Sequence, residues 1–545
     1  MSLGTISTRF DPNFISQSGM LSNAQSPLLL PEIAQHIGSF AGDRERRDLA
    51  YTCKQLFSSV APVIWKEIPD IKIVIQLIPG VKLVEVPYGD EGSGEGGITP
   101  MAMIPDDSLS TEDWTRYWFY APFVQHLNLF AFCNDDYWIE GSRFLFTKLN
   151  RRPLLPNLRR LSFFGMQGHS RFDRLVWFAS CLSPTLQRLR LIDIPEGPEE
   201  EDMVRPAWLL LSTLAKHFDA SIPDVPSDIV DWDPSKSMPA LLFPGDYQGG
   251  LFLFDNLPAP TSLRYLYIRL PQLWQTTIYI LGCLPLLEEL EMGFYDCRDE
   301  VAPTPNSNEI LLPPDSFPSL RRLRLHSMPS TVRCHELWAI KPMFSGLLLL
   351  SLDIHMIDYG TDSGRSTFNP PQLIYHNCPK LESLSLHIGY KTQPLELMLD
   401  LLSIIPLKAL CLYLGTGYNL EVEDPATCSW RIFPHLRHLS LSKILGVPEL
   451  KLLPKIAKAC PNLEWLHIQS TDPFGLREQP MDTGCVDHTA YQSIEIETDM
   501  PGDYPPYMEE ILQEYWNTSC CNMSSFLKAI WPNASFLPLS DEEFD

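Results

Sequence analysis

The chain has 545 residues, more than one hydrophobic core usually organises, so several domains or a stack of repeats is expected. Acids outnumber bases, 67 against 42, for a net charge of −25, and no dense Lys/Arg block offsets them, so generic binding to nucleic-acid phosphates is disfavoured. The 49 prolines, about 9% of the chain against a usual ~5%, exclude long uninterrupted helices.

From the amino terminus, residues 1–27 carry a single early Arg9, no apolar run and many Ser, Asn and Gln, and are expected to be disordered. No stretch reaches ~18 consecutive apolar residues, so neither a leader nor a membrane span is expected. The 13 cysteines are thinly spread, unlike a disulfide framework, and point to a reducing, intracellular address, cytoplasmic or nuclear. The sequons at Asn517, Asn522 and Asn533 then read as chance matches.

Residues 28–69 have helical periodicity. Pro31 suits a first helical turn; Ile33, Ile37 and Phe40 share one face, and Leu49, Thr52, Cys53, Leu56, Phe57 and Val60 share another, with Val63, Ile64 and Trp65 closing the segment. About forty residues in three short helices lie near the lower limit for independent folding, and they carry more large apolar side chains than so small an interior can hide. A partner surface is expected. The run Leu30-Pro31-x-Ile33, then Asp48-Leu49, Cys53-Lys54 and Ile64-Trp65, resembles an F-box. Phe57 stands where a Trp often follows the Cys-basic pair. The resemblance implies that Leu30, Pro31, Ile33, Ile37, Leu49, Cys53, Phe57, Ile64 and Trp65 dock on a small Skp-type adaptor, which bridges to a cullin scaffold and a RING protein. The alternative is that these helices only cap the end of the larger downstream domain.

Residues 70–115 read as a linker or first cap, with a low-order, acidic, Gly-rich loop over 87–113. Gly92-Ser93-Gly94-Glu95-Gly96-Gly97 matches GxGxxG literally, but no strand precedes it and no helix follows, so a loop is expected rather than a phosphate cradle.

From residue 116 to 500 one phrase recurs: apolar, two variable, apolar, one variable, apolar. Copies start at Val124, Leu158, Leu186, Leu263, Leu287, Leu320, Leu347, Leu381, Leu407, Leu436, Leu463 and Tyr491. Most are about 24–34 residues apart, and one longer gap separates Leu186 from Leu263. The last two apolar positions of each copy alternate with variable ones, the period of a short strand with one buried face. Between copies the spacing turns helical, as at Leu395, Met398, Leu399 and Leu402, and at Leu453, Ile456, Ala457 and Cys460. Pro184, Pro285, Pro379 and Pro461 end the helices. One such unit cannot bury its own faces, so units must stack. Spacing and phrase resemble leucine-rich repeats, and CPKL from Cys378 and CPNL from Cys460 resemble the cysteine-containing subtype; several units are long and irregular, as in fungal members, and the usual Asn after the strand is missing. The resemblance implies an α/β solenoid with a parallel concave sheet and helices on the convex side. Residues 195–258 are read as an insertion with one apolar helical piece from Trp208, which leaves open whether a degenerate repeat hides there; residues 501–545 are read as a C-terminal cap and acidic tail.

Catalytic and metal chemistry finds no constellation. There is no GxxxxGK[ST], HExxH, GxSxG or CxxC, and Cys520 and Cys521 are adjacent, which is wrong for zinc ligands. Cys181, Cys283, Cys378 and Cys460 each stand just before a repeat Leu and read as packing residues; His435 and His438 read as solvated. No enzyme activity, metal or cofactor is expected. The alternation places Arg160, Arg188, Arg190, Tyr265, Tyr267, Arg269, Arg322 and Arg324 on the concave side, interrupted by Glu289 and Glu291, a basic row suited to an acidic or phosphorylated protein segment. The opposing reading is that these arginines keep the sheet soluble and pair with acids of neighbouring repeats. Further along, Ser383, Ser385, His387, His438, Ser440, Trp465 and His467 form a neutral surface in which Trp465 is a second candidate contact. The expected role is substrate receptor of a cullin-RING ubiquitin ligase, against a non-catalytic interaction scaffold.

Overall fold

The computed structural model describes residues 30–88, 97–104, 114–129, 138–141, 145–146, 148–149, 152–164, 171–192, 205–218, 257–270, 275–294, 312–313, 315–328, 337–338, 340–354, 370–388, 395–414, 432–442, 456–470, 493–498 and 535–538. The chain divides into two compact units, one ending at Glu67 and one starting at Ile68.

The first unit holds helices α1 (Pro31–Phe40), α2 (Asp43–Thr52) and α3 (Lys54–Ile64). Pro31 opens α1, where a missing amide proton costs nothing. Cys53 is extended between α2 and α3, and its Sγ accepts the Leu56 N–H at 3.5 Å, which starts α3. The core is small: Ala34, Leu56 and Val60, with Leu49 and Ile64 packed against it. Gly38 lets α1 approach α3, since a Cβ there would stand 3.4 Å from Val60 Cγ1. Arg46 binds the end of α1, Nε donating to the Gly38 carbonyl at 2.8 Å while Nη1 pairs with Asp43 at 3.1 Å.

A short strand β1 (Glu67–Ile68) stands at the boundary, followed by helix α4 (Ile71–Ile75), whose first turn is capped by Asp70 accepting from the Lys72 N–H at 2.9 Å. Strands β2 (Lys82–Tyr88) and β3 (Gly97–Met103) then form an antiparallel hairpin. The stretch 87–113, expected as low-order, therefore supplies β3 and the end of β2, because alternation in KLVEVPY and ITPMAM suits pleated pairing; Gly92, Gly94 and Gly96 lie outside the described residues. After helix α5 (Thr115–Tyr120) and β4 (His126–Leu129), strand β5 (Trp138–Glu140) joins β3 in parallel. Gly141 ends β5 at φ +83, where a Cβ would meet the Ile104 carbonyl oxygen at 2.1 Å, so only glycine fits.

The main sheet continues through β6 (Arg160–Phe164), β7 (Arg188–Ile192), β8 (Tyr265–Leu270), β9 (Glu289–Phe294), β10 (Arg322–His326), β11 (Leu349–Ile354), β12 (Ser383–Ile388), β13 (Ala409–Leu414), β14 (His438–Ser442), β15 (Trp465–Ser470), β16 (Ser493–Thr498) and β17 (Ser535–Pro538). Among the described residues it has fourteen strands, β1-β4-β6 and then in chain order to β17. Every pairing from β4 onward is parallel. All twelve recurring phrases became strands, each starting two residues after the first apolar residue of the phrase.

The register explains the phrase. Its middle leucine forms a row from Leu127 to Leu466, each in register with the next and none more than 2% exposed. Helices supply the other side of that core, with Val176, Ile278, Ile374, Leu402 and Ile456 fully buried. Strand entry is locked by backbone: the Arg159 carbonyl accepts both Gln187 and Arg188 N–H at 2.8 Å, and the same double acceptance recurs to Arg437, which accepts Glu464 and Trp465. A second ladder lies just before the strands. Asn157 Nδ2 donates to the Pro122 carbonyl (2.8 Å), Thr185 Oγ1 to Pro156 (3.1 Å), Ser319 Oγ to Pro285 (2.7 Å) and Asn462 Nδ2 to Pro434 (2.7 Å). Proline residues that stand between one helix and its strand thus offer carbonyls that hold the next unit.

Among the described residues, the insertion adds a helix and no strand. Helix Arg205–His217 buries Leu209, Leu210, Leu211 and Leu214 and packs against helices Arg171–Cys181 and Gln275–Gly282, while β7 pairs directly with β8. At the other end the sheet runs one strand past residue 500, to β17. Residues 1–27, the remainder of the insertion, the sequons, Cys520-Cys521 and the acidic tail lie outside the described residues. Among the described residues, no helix is long and apolar enough to cross a membrane.

Candidate functional site

Two surfaces carry the residues singled out by sequence. On the three-helix unit, α1 is built inside out: its buried positions are Ala34 and Gly38, and its large apolar residues face solvent. Leu30 is 45% exposed, Ile33 36%, Ile37 38% and Phe40 80%. These positions, three and four apart, form one stripe. Pro31 and Cys53 are exposed, whereas Leu49, Phe57, Ile64 and Trp65 are half-buried. Leu49 and Ile64 pack on the small core, so they brace the unit more than they line the stripe.

The second surface is the sheet face opposite the leucine row. Arg160, Arg188 and Tyr265 are in register across β6, β7 and β8, and so are Ser162, Arg190 and Tyr267. All three arginines are exposed. Arg188 lies over the Tyr265 ring at 5.2 Å and Arg190 over the Tyr267 ring at 5.3 Å, cation–π contacts that orient the guanidinium groups without neutralising them. Arg269 is half-buried, and its stem lies against Gly293, where a Cβ would come within 3.0 Å of its Cγ.

The row changes character at β9. Glu289 and Glu291 are each 8% exposed and face the arginines of β10. Arg322 Nη1 is 3.5 Å from Glu289; Arg324 reaches Glu289 at 3.4 Å through Nη2 and Glu291 at 3.5 Å through Nη1. Glu291 also accepts the Tyr265 hydroxyl at 2.9 Å and faces His326 Nε2 at 3.0 Å. Burial alone would raise the Glu291 carboxyl; the hydrogen bonds from His326 and Tyr265 and the charges of His326 and Arg324 outweigh it and hold the group below the usual carboxylate value. Burial, then the Glu291 bond, pushes the Tyr265 phenol up. The two glutamates therefore occupy Arg322 and Arg324, as the opposing reading of the row anticipated, and they leave Arg160, Arg188 and Arg190 as a separate cationic group.

No protein-family model and no curated protein matches the chain.

From β11 to β15 the face carries mainly Ser, His and aromatic residues, with Asp353 on β11. His387 Nδ1 pairs with Asp353 at 2.9 Å and meets the Tyr413 ring edge-on at 3.8 Å. Trp465 is half-buried, stacked on His467 at 5.7 Å, and His467 Nδ1 is 3.0 Å from Ser440 Oγ. His435 and His438 are exposed. Sequence reasoning missed His326 and Asp353 as partners on this face; both follow at every second strand position, the signal that found the others. Cys181, Cys378 and Cys460 are fully buried, and burial pushes each thiol up to about 12. The carbonyls of Cys378 and Cys460 accept the N–H of Leu381 and Leu463, so these residues link helix end to strand entry. Among the described residues, no group of His, Cys, Asp and Glu has metal-binding geometry.

Proposed function

We propose that the chain is the substrate receptor of a cullin-RING ubiquitin ligase. In this reading the three-helix unit is an F-box that docks on a Skp-type adaptor and, through it, on a cullin. The sheet is an irregular leucine-rich-repeat solenoid whose open face holds the substrate protein. The chain transfers no acyl group itself. It raises the effective concentration of substrate at a ubiquitin-loaded partner, so its mechanism is proximity.

The observation that carries the reading is the inverted helix α1. A unit this small gains most by turning its largest apolar residues inward, yet Ala34 and Gly38 face its core while Leu30, Ile33, Ile37 and Phe40 are displayed. A contiguous exposed stripe of this kind marks a protein-binding surface. Leu30, Pro31, Ile33 and Ile37 supply the contact; Leu49, Cys53, Phe57, Ile64 and Trp65 complete and brace it.

The test is co-purification of the full chain with a recombinant Skp-type adaptor. The unmutated chain retains the adaptor, and Leu30→Asp with Ile33→Asp loses it while α-helical circular dichroism is kept. An unmutated chain that never retains the adaptor overturns the receptor reading and leaves a non-catalytic interaction scaffold.

A further inference from the structure

Residues 114–164 differ from the rest of the chain in charge and in composition. They hold seven Arg and Lys against three acids, in a protein of net charge −25, and fourteen of these 51 residues are aromatic, against 11% overall. Tyr117, Phe146 and Phe163 are buried, but Trp118 and Phe119 are 40% and 41% exposed. The reason is local. The Tyr117 hydroxyl donates to the Leu154 carbonyl, which turns one side of α5 inward, and helical periodicity then carries Thr115, Arg116, Trp118 and Phe119 to the exposed side. Trp118 rests edge-on against Tyr117 at 4.9 Å, and Phe119 against Tyr120 at 4.9 Å and Phe123 at 5.4 Å. Rings held in this way before a ligand arrives lose little freedom on binding.

Cations flank the rings. Arg116 lies on the same side of α5; Arg152 stands two residues before Leu154, and Arg159 two residues after Asn157, whose Nδ2 donates to the Pro122 carbonyl at 2.8 Å. All three arginines are exposed, and none pairs with an acid among the described residues. We infer that Trp118 and Phe119, with Arg116, Arg152 and Arg159, form a docking surface for a short acidic segment of a partner protein that sets a Leu or Phe between its carboxylates. Trp and Arg are the side chains that most often dominate protein-binding energy, and guanidinium forks match carboxylates. A membrane or a nucleic acid fits less well. Each is an extended negative surface that would bring the remainder of a chain of net charge −25 within range, whereas screening over about 10 Å lets a short segment feel only the local cations. The surface shares no residue with the α1 stripe or with the arginines of the sheet face, and the inference requires neither.

The experiment presents the immobilised full chain with a fluorescent pool of short peptides in which Leu or Phe alternates with Asp or Glu. Run beside it are the pool with Asn and Gln in place of the acids, the pool with Ala in place of Leu and Phe, phosphatidylserine vesicles and single-stranded DNA. The acidic apolar pool is retained above all four. Trp118→Ala with Phe119→Ala lowers its retention by about tenfold or more. Arg116→Glu with Arg152→Glu lowers it by a similar factor, and these exposed positions test the surface even where truncated rings disturb α5. Arg188→Gln, on the sheet face, and Tyr375→Ala, at an exposed ring elsewhere, leave retention unchanged. Hydrogen exchange across β4 and β6 verifies that the fold is kept. Equal retention of the amide or Ala pool overturns the inference, as does stronger retention of vesicles or DNA. Full binding by either double variant, or equal loss in Arg188→Gln, also overturns it. Adaptor co-purification is read on the Trp118→Ala, Phe119→Ala variant and is expected unchanged; its loss would assign the rings to the adaptor and overturn the separate surface.

Discussion

Replacing Arg324 by Gln tests whether the two kinds of arginine are real. Arg324 contacts Glu289 at 3.4 Å and Glu291 at 3.5 Å, and those carboxylates are only 10% and 11% exposed. One such contact is worth about 1 kcal/mol in bulk water and about 5 kcal/mol at the effective dielectric of a protein surface. The Arg324 side chain is 38% exposed, which screens the attraction toward the lower value, and the glutamates lose little solvation that they had not already lost on folding. The expected cost for two contacts is about 2 kcal/mol. In a stack where each unit touches only its neighbours, that cost is felt locally. Native-state hydrogen exchange is the suitable assay: opening of β9 and β10 rises about 30-fold, since ~1.4 kcal/mol is tenfold. Arg188→Gln removes a charge that opposes Arg160 and leaves protection of β6–β8 unchanged or slightly raised. If the two variants lose protection equally, the division into compensated and uncompensated arginines is wrong.

Because the Glu291 carboxyl is held below its ordinary value, its contribution is complete above the unfolded-state value of about 4.3 and is lost as pH falls through the folded one; protection of β9 and β10 should drop in that acid window, and Glu291→Gln should flatten the drop. Asn462→Ala removes the bond to the Pro434 carbonyl at 2.7 Å and is expected to cost about 1 kcal/mol, read as faster exchange confined to β14 and β15. Cys378 and Cys460, buried with thiols pushed up to about 12, should resist alkylation in the folded protein, whereas exposed Cys53 reacts; mass spectrometry of the labelled chain distinguishes them.

Much of the sheet was legible because a strand with one buried face writes itself at every second residue, and here the buried residue is almost always leucine. The phrase beginning at Val124 and the one at Tyr491 are equally good guides, although neither opens with leucine. Features outside the pattern depend on reach rather than period. That Glu289 and Glu291 interrupt the basic row is visible in the letters, and pairing with acids of neighbouring repeats was anticipated, but whether they extend toward β8 or β10 is decided by rotamers, so which arginines they take was not readable. The hairpin of β2 and β3 was hidden by the Gly-rich acids between them, which dominate composition while the flanking strands carry the alternation. Strand β17 escaped because its phrase is absent: Ser535–Pro538 takes its place by backbone pairing, and its letters do not repeat the spacing. On the three-helix unit the helices were legible, and the F-box resemblance already set Leu30, Ile33 and Ile37 outward, whereas periodicity alone did not say that the core takes the smallest residues of α1, Ala34 and Gly38.

Strand order that never departs from chain order has a consequence for how such a face changes over time. The long stretch between Ile192 and Tyr265 leaves the pairing of Arg188 with Tyr265 intact, so a return segment can grow without moving any neighbour on the sheet. New specificity can then be acquired one strand at a time, by exchanging alternate residues within a single unit, while the hydrogen-bonded spine on either side keeps its register.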